Sequence, residues 1–176
     1  MRGHMELMEA ITTRRSVRKF QEKDVAEEIV EKLVEIGNLA PSAGNLQARD
    51  FIVVRERSTR EALARAALNQ EFVAEAPVDI VLCTNERKIK RYGTRGTTLY
   101  TYQDTAAAAM LIMLAALEYG LGTCWVGAFD EEAVRKILQI PEYARPVIIL
   151  PLGYPAEQPE MRKRAPLKEY LHLERW

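Results

Sequence analysis

Two basic clusters, one near each end of the chain, have the chemistry of a phosphate site. The first packs four cations and one hydroxyl group into residues 14–19, and the second lies within residues 162–164. Guanidinium forks and hydroxyl groups match phosphate oxygens, so a bound anion would relieve the repulsion among these cations. A solvated basic turn explains the first cluster equally well, and the phosphate interpretation gains if the fold brings both clusters together. The candidate anion ligands are Arg14, Arg15, Ser16, Arg18, Arg162 and Arg164.

A second set of candidates is rich in amides. Residues 41–47 place a hydroxyl group and two amides on a glycine-containing loop before a predicted strand, where they could hydrogen-bond the edge of a flat heteroaromatic ring. A helix-terminating turn with Asn45 in the left-handed conformation is the alternative. A glycine inside a predicted strand, at position 127, indicates that a ligand or another backbone passes close to the sheet. These candidates are Pro41, Ser42, Asn45, Gln47, Asn69, Gln70 and Gly127.

Several kinds of site and of protein are disfavoured. The G-x-G-x-x-G and G-x-x-x-x-G-K-[ST] phosphate loops are absent from the sequence. Its only histidines are His4 and His172, so we expect no histidine base, zinc centre or other metal site. Cys83 and Cys124 lie in apolar runs and are predicted to be buried, reduced thiols. Lys+Arg and Asp+Glu are balanced at 25 each, which argues against a nucleic-acid partner, and no apolar run is long enough to span a membrane.

The length of 176 residues suits one domain with a sizeable core, and hydrophobic periodicity predicts its elements. Capping-box spacings at Asp24 with Glu27 and at Ser58 with Glu61 predict helices over residues 24–39 and 58–68. The charged segment 85–98 has neither helical nor strand periodicity and is predicted to be a mobile loop or lid. The other predicted helices are 6–13, 104–119 (buried all round and ended by Gly120) and 130–138 (capped by Asp130), and the predicted strands are 51–54, 78–83, 123–129 and 146–150.

This order of elements predicts helices on both faces of one sheet, in an α/β or α+β sandwich. Residues 153–176 form a tail with three prolines, a basic cluster and apolar residues up to Trp176. A tail of this composition rarely packs alone. We therefore expect it to wrap either its own body or a partner subunit.

Taken in chain order, these motifs resemble the FMN-dependent nitroreductase family of oxidoreductases. The resemblance covers nearly the whole chain, and the ordered set is far more specific than any single motif. The matching segments are residues 14–20 (RRSVRKF), 40–47 (APSAGNLQ), 76–78 (APV), 103–108 (QDTAAA), 120–122 (GLG) and 127–129 (GAF).

The resemblance implies an α+β fold, a three-layer α-β-α sandwich, in a single nitroreductase-like FMN-binding domain over residues 1–176. It implies a homodimer with one FMN in each of two interface sites, and with the tail 153–176 domain-swapped around the partner subunit. The implied activity is ping-pong hydride transfer from NADH or NADPH, through flavin N5, to a nitroaromatic, quinone or similar small-molecule acceptor. Because the flavin carries this chemistry, no protein residue is assigned as catalytic.

The same resemblance assigns roles to the candidates. The two basic clusters match the family's phosphate contacts, and Arg18 matches the basic residue near the N1 and O2 edge of the isoalloxazine. The loop 41–47 matches the segment that the second subunit brings to the ring. Asn69 and Gln70 match contacts to the ribityl chain or the pyrimidine edge, and Gly127 matches the backbone position near flavin N5.

The sequence is also compatible with two other functions. One is a specialised flavin enzyme of the dehalogenating or flavin-fragmenting type, although the short segment 85–99 shows no clear lid for an aromatic amino acid. The other is a non-catalytic protein that stores or senses flavin. The N-terminus has no apolar h-region, so we expect no cleaved secretion signal and a cytoplasmic location.

Overall fold

A computed structural model of the chain describes residues 5–176, so His4 lies outside the described residues. Its four strands are β1 (Arg49–Val54), β2 (Val78–Asn85), β3 (Gly122–Thr123) and β4 (Ala144–Gly153). They form one sheet in the order β1-β2-β4-β3, and every neighbouring pair is antiparallel. The helices are α1 (Leu7–Thr13), α2 (Glu27–Asn38), α3 (Arg57–Ala66), α4 (Phe72–Glu75), α5 (Glu86–Ile89), α6 (Gly93–Arg95), α7 (Thr101–Glu118) and α8 (Glu131–Leu138).

Helices cover both faces of the sheet, which confirms the α+β sandwich. On one face, β2 and β4 pack against α2 and α7, where Leu33 and Ile112 are fully buried. On the other face, Val81 packs in a second core with Leu63 of α3 and Val134 of α8. Burial on both faces explains why β2 carries an uninterrupted apolar run from Ile80 to Cys83 instead of alternating with polar residues.

The capping box predicted at Asp24 does not form, and α2 begins at Glu27 without a side-chain cap. Val25 is buried in the core, and Arg55 donates a hydrogen bond to its carbonyl oxygen (2.9 Å). These tertiary contacts hold the residues before the helix in an extended conformation, so the cap prediction from local spacing was wrong.

The second predicted capping box, Ser58 with Glu61, does not form either, and Glu56 caps the helix instead. α3 begins one residue before Ser58, because the carboxylate of Glu56 accepts the backbone N–H of Thr59 (2.7 Å). Hydrogen bonds from Ser58 and Thr59 lower the pKa of Glu56 to about 2. The cap predicted at Asp130 is confirmed, since its carboxylate accepts the N–H of Ala133 (3.0 Å).

The charged segment 85–98, predicted to be a mobile loop or lid, is helical from Glu86 onwards. It continues from α5 through a 3₁₀ turn (Lys90–Tyr92), α6 and a π-helical turn (Gly96–Tyr100) directly into α7. Ile89 anchors the segment in the core, and a Cβ at Gly96 would lie only 2.9 Å from the Ile89 carbonyl oxygen. Irregular turns of several types leave no single period in the sequence, which is why the pattern was missed.

The strand predicted over residues 123–129 is reduced to the two residues of β3. Val126 adds one isolated bridge to β4, and the backbone N–H of Val17 donates to the Thr123 carbonyl oxygen (3.0 Å). The N-terminal segment thus pairs where a longer strand would have continued. Gly127 consequently lies in an exposed segment beyond the sheet, and the prediction that it sits inside a strand was wrong.

α7 ends at Glu118, and Gly120 follows its C-cap Tyr119 as the predicted terminator, with a φ of +69° in the left-handed region that glycine tolerates. The prediction that α7 is buried all round was wrong within the single chain described. Met110 is 40% exposed, and Leu111 and Leu114 are half-buried. Among residues 5–176, no helix is both long enough and apolar enough to cross a membrane.

Candidate functional site

The two basic clusters line one cavity of about 680 Å³ beside β3. The first cluster forms one wall, and residues 159–164 at the start of the tail form the other. The lining residues are Arg14, Arg15, Ser16, Arg18, Pro159, Glu160, Met161, Arg162, Lys163 and Arg164. A surplus of guanidinium groups beside a hydroxyl group is the donor set that a phosphate dianion requires. All six anion ligands named from the sequence are therefore brought together.

Backbone pairing fixes the first cluster at the edge of the sheet. Ser16 forms a parallel bridge with Thr123. The carboxylate of Glu157 accepts the backbone N–H groups of Arg18 (2.6 Å) and Lys19 (3.1 Å), which ties the start of the tail to the cluster. The side chain of Glu157 was not singled out in the sequence, because its role depends on a contact between distant segments.

The candidates for the ring and the ribityl chain lie on the same flank as the basic cavity. The Arg18 guanidinium stands over the Phe72 ring, 5.7 Å from its centroid. The Gln70 side-chain amide donates to the carbonyl oxygen of Ala128 (3.1 Å), next to the exposed Gly127. Asn69 is exposed and has a left-handed backbone with φ of 58°. Within one chain, Arg18 thus contacts the segment that follows Gln70, and Gln70 contacts the segment of Gly127.

Both cysteines are buried and unpaired. Burial raises the pKa of the Cys124 thiol, although nearby Arg18 and a hydrogen bond to Ser16 oppose the rise. Burial raises the pKa of Cys83 to about 12. Both thiols are therefore protonated near neutral pH and are not poised as nucleophiles.

The amide loop 41–47 forms elsewhere in the fold. It precedes β1, at the opposite edge of the sheet and the opposite end of β4 from the basic cavity. A rise of ~3.3 Å per residue along β4 gives a separation of roughly 25–30 Å. Within one chain, Pro41, Ser42, Asn45 and Gln47 are consequently not brought to the cations.

Internal hydrogen bonds shape this loop. The Ser42 hydroxyl oxygen accepts the backbone N–H of Gln47 (3.0 Å), and the Gln47 amide donates to the carbonyl oxygen of Asn45 (2.8 Å). Asn45 has φ of 57°, as the turn interpretation predicts, and Gly44 has φ of 56°. The segment is a tight, internally bonded turn whose Gly44 and Asn45 tip is exposed.

Two buried charged residues beneath the loop were missed from the sequence. Arg49 is 1% exposed and donates to the carbonyl oxygens of Asn38 (2.9 Å), Ala40 (2.8 Å) and Asp104 (3.1 Å). One carboxylate oxygen of Asp104 accepts the N–H of Ala43 (2.9 Å). Desolvation lowers the pKa of Arg49, and the charge of Asp104 opposes that shift. The sequence did contain signals for this pair: Arg49 begins an apolar strand, and Asp104 lies inside an apolar helix.

Comparison with known proteins identifies similar chains. The profile of the Nitroreductase family matches residues 11–71 and 60–154. A protein of Methanothermobacter thermautotrophicus named "Putative NADH dehydrogenase/NAD(P)H nitroreductase" is 36% identical over 176 residues, which cover 98% of this chain and 88% of the relative. The FMN reductase (NAD(P)H) of Bacillus subtilis is 28% identical, and the alignment covers 96% of this chain and 74% of that protein. The solved structure of the NADPH:FMN oxidoreductase from Vibrio harveyi complexed with NAD+ has a TM-score of 0.90 and 27% identity, covering 97% of this chain and 77% of that one.

Proposed function

The chain belongs to the nitroreductase family, and we propose that it is an FMN-dependent oxidoreductase that moves hydride from NADH or NADPH to a small-molecule acceptor. The observation that carries this proposal is the single cavity where two basic clusters from opposite ends of the sequence meet. Relatives named as an FMN reductase and as an NADPH:FMN oxidoreductase support the flavin and the nicotinamide donor.

The residues present fit FMN by the chemistry of their donor groups. Arg14, Ser16 and Arg164 would hold the phosphate with the other cations of the cavity. Arg18 would lie near the N1 and O2 edge of the ring, and the N–H of Gly127 would lie near N5. When bound, the flavin supplies the centre that accepts and donates hydride.

The protein contributes binding, alignment and a positive field. The cations neutralise the phosphate, and the guanidinium of Arg18 would stabilise negative charge at its end of the ring. Both cysteines are buried with raised pKa values, so neither supplies an acid or base at neutral pH. Donor and acceptor, the latter a nitroaromatic, quinone or similar compound, would occupy the same cleft in turn in a ping-pong order.

We further propose that the enzyme is a cytoplasmic homodimer with two shared sites. The amide loop lies roughly 25–30 Å from the basic cavity of its own chain, so a second copy is needed to bring the two together. Residues 161–176 are all exposed, including Leu173 at 79% and Trp176 at 100%, and a partner subunit would cover this tail. Met110 on α7 is exposed as well, at 40%.

The first experiment is a visible absorption spectrum of the purified protein before and after addition of FMN, followed by anaerobic NADH and NADPH. We expect a bound-flavin spectrum that bleaches with a nicotinamide donor. Failure to bind FMN after reconstitution would reject the enzyme assignment. Bound flavin that neither donor reduces would favour a storage or sensing protein.

Substitution of the cavity cations tests the phosphate assignment. Each of Arg14→Ala and Arg164→Ala removes charge-assisted hydrogen bonds and should weaken FMN binding by about 10- to 100-fold. Arg57→Ala is the matched control, because Arg57 is an exposed arginine on α3 that pairs with Glu61 (2.9 Å) and lies outside the cavity lining. Stoichiometric flavin retained by the doubly substituted protein in equilibrium dialysis would contradict the assignment.

Mixing two defective variants tests whether the site is shared. One variant carries Ser42→Ala and Asn45→Gly in the loop, and the other carries Arg14→Ala and Arg164→Ala in the cavity. A heterodimer of these chains contains one site with an intact loop and an intact cavity. Recovery of flavin binding and activity after mixing supports sharing between subunits, whereas a site built within one chain would not recover.

A further inference from the structure

The helical segment between β2 and α7 is strongly cationic. Residues 86–95 contain five lysines and arginines and a single acidic residue, although the whole chain is neutral. Two of these cations have structural partners: Lys88 pairs with Asp50 (2.6 Å), and the Arg87 guanidinium lies 3.7 Å from the Tyr143 ring centroid. Within residues 5–176, Lys90, Arg91 and Arg95 form no ion pair with a carboxylate.

Two of them combine with two tyrosines in an arginine–tyrosine cluster, which consists of Arg91, Tyr92, Arg95 and Tyr100. Arg91 donates to the hydroxyl oxygen of Tyr92 (3.2 Å). The Tyr92 and Tyr100 rings meet edge to face with centroids 5.6 Å apart. The Nε–H of Arg95 donates to the Tyr100 hydroxyl oxygen (3.0 Å). Because Arg91, Tyr92 and Arg95 are all exposed, the cluster presents guanidinium groups and aromatic surface to solvent.

The arginine–tyrosine cluster touches the amide loop. Arg91 donates to the carbonyl oxygen of Gly44 (3.2 Å), and a Cβ at Gly44 would collide with the side chains of Arg91 and Tyr92. In the proposed dimer, the loop 41–47 of one copy faces the flavin site of the other. The cluster then lies at the mouth of that cleft, beside the space that a donor must occupy.

We propose that the arginine–tyrosine cluster binds the adenosine 2′-phosphate end of NADPH and makes NADPH the preferred electron donor. This inference rests on the proposed function. Arg91 and Arg95 match the oxygens of a phosphate dianion, and the Tyr92 ring and the arginine planes offer stacking surfaces for adenine. NADH lacks this phosphate and leaves both arginines without an anionic partner.

The test compares the double variant Arg91→Ala/Arg95→Ala with the control Arg57→Ala. We expect wild type to favour NADPH over NADH in kcat/KM by about tenfold or more, and the double variant to lose about 10- to 100-fold with NADPH while NADH stays within about twofold. Calorimetry with adenosine 2′,5′-bisphosphate gives a readout without turnover: wild type and Arg57→Ala should bind it, and the double variant should not.

The single variant Arg95→Ala controls for an indirect effect through the amide loop. Arg91 donates to that loop, whereas Arg95 donates to Tyr100. Arg95→Ala should lower NADPH selectivity in the same direction. Equal losses with both donors, no NADPH preference in wild type, or no binding of the bisphosphate would each overturn the inference. A protein that binds FMN and is reduced equally by both donors keeps the proposed function and loses only this inference. Failure to bind FMN rejects the proposed function and the donor preference with it, and the bisphosphate titration then shows only whether the cluster binds the 2′-phosphate group.

Discussion

Replacement of Arg49 by methionine should destabilise the protein severely through the amide loop. The guanidinium is buried and donates to the carbonyl oxygens of Asn38, Ala40 and Asp104 at 2.8–3.1 Å. Methionine fills similar space but leaves the carbonyl oxygens of Asn38 and Ala40 without their donor, at a cost of ~1–3 kcal/mol each, whereas the Asp104 carbonyl oxygen keeps its hydrogen bond within α7. The substitution also removes a buried positive charge whose Nε–H has no hydrogen-bond partner, and this recovers part of the lost stability. The expected loss is ~3–5 kcal/mol in the free energy of unfolding.

At ~2–4 °C per kcal/mol for a domain of this size, that loss lowers Tm by about 10–15 °C. The assay is thermal unfolding followed by circular dichroism at one fixed protein concentration, with and without saturating FMN. Arg57→Met is the matched control, because its exposed pair with Glu61 contributes only ~0.3–0.5 kcal/mol. FMN affinity should also fall for Arg49→Met, since the loop it supports belongs to the proposed site.

A Tm within about 3 °C of wild type would refute this reasoning, because it would correspond to a loss of only ~1 kcal/mol. Asp104→Asn separates the two buried partners. Asparagine keeps an oxygen that can accept the N–H of Ala43, so this variant should lose only ~1 kcal/mol.

Three further predictions concern single side chains. In a Trp176→Phe background, FMN should quench most of the Trp125 emission, because a Cβ at Gly127 would lie 3.6 Å from the indole Nε1; unchanged emission would place the ring elsewhere. Burial raises the pKa of Asp79 well above its usual value, and both its carboxylate oxygens lack partners. Because the Asp79 carboxyl ionises at lower pH in the unfolded chain than in the folded one, wild type loses stability as pH rises. The stability of Asp79→Asn relative to wild type should therefore be greater at pH 8 than at pH 5 in urea unfolding, and an equal difference at both pH values would contradict this. Cys83, with its pKa raised to about 12, should resist alkylation at pH 8 until the protein is unfolded, and rapid labelling of the native protein would show that it is accessible.

The sequence indicated the layers of the fold correctly where burial produces a simple period. α2 and the apolar strand β2 are read directly from such patterns. Helix starts were predicted less well, because the start of α2 is set by the burial of Val25 and its bond to Arg55, which are tertiary contacts. β3 is short for the same kind of reason, since the segment around Val17 pairs with it from far along the chain.

The candidate site shows the same difference between features that local sequence predicts and features that depend on tertiary contacts. The cations of the basic cavity were identifiable because guanidinium groups concentrated in a short stretch have a recognisable chemistry. That the tail joins them depends on Glu157, whose bonds to the backbone of Arg18 and Lys19 no local pattern reveals. The supporting pair of Arg49 and Asp104 was missed because Arg49 bonds the backbone of Asp104, 55 residues away, and Asp104 bonds the backbone of Ala43, 61 residues away.

The wide separation of the amide loop from the basic cavity has a thermodynamic consequence for the proposed dimer. When two copies each supply part of one binding site, cofactor binding and subunit association share a coupling free energy. FMN then tightens the dimer by the same factor by which dimerisation tightens FMN binding. Dilution of the protein should therefore release flavin, and added flavin should drive reassembly. The cellular concentration of the chain itself becomes a determinant of how much of it carries cofactor.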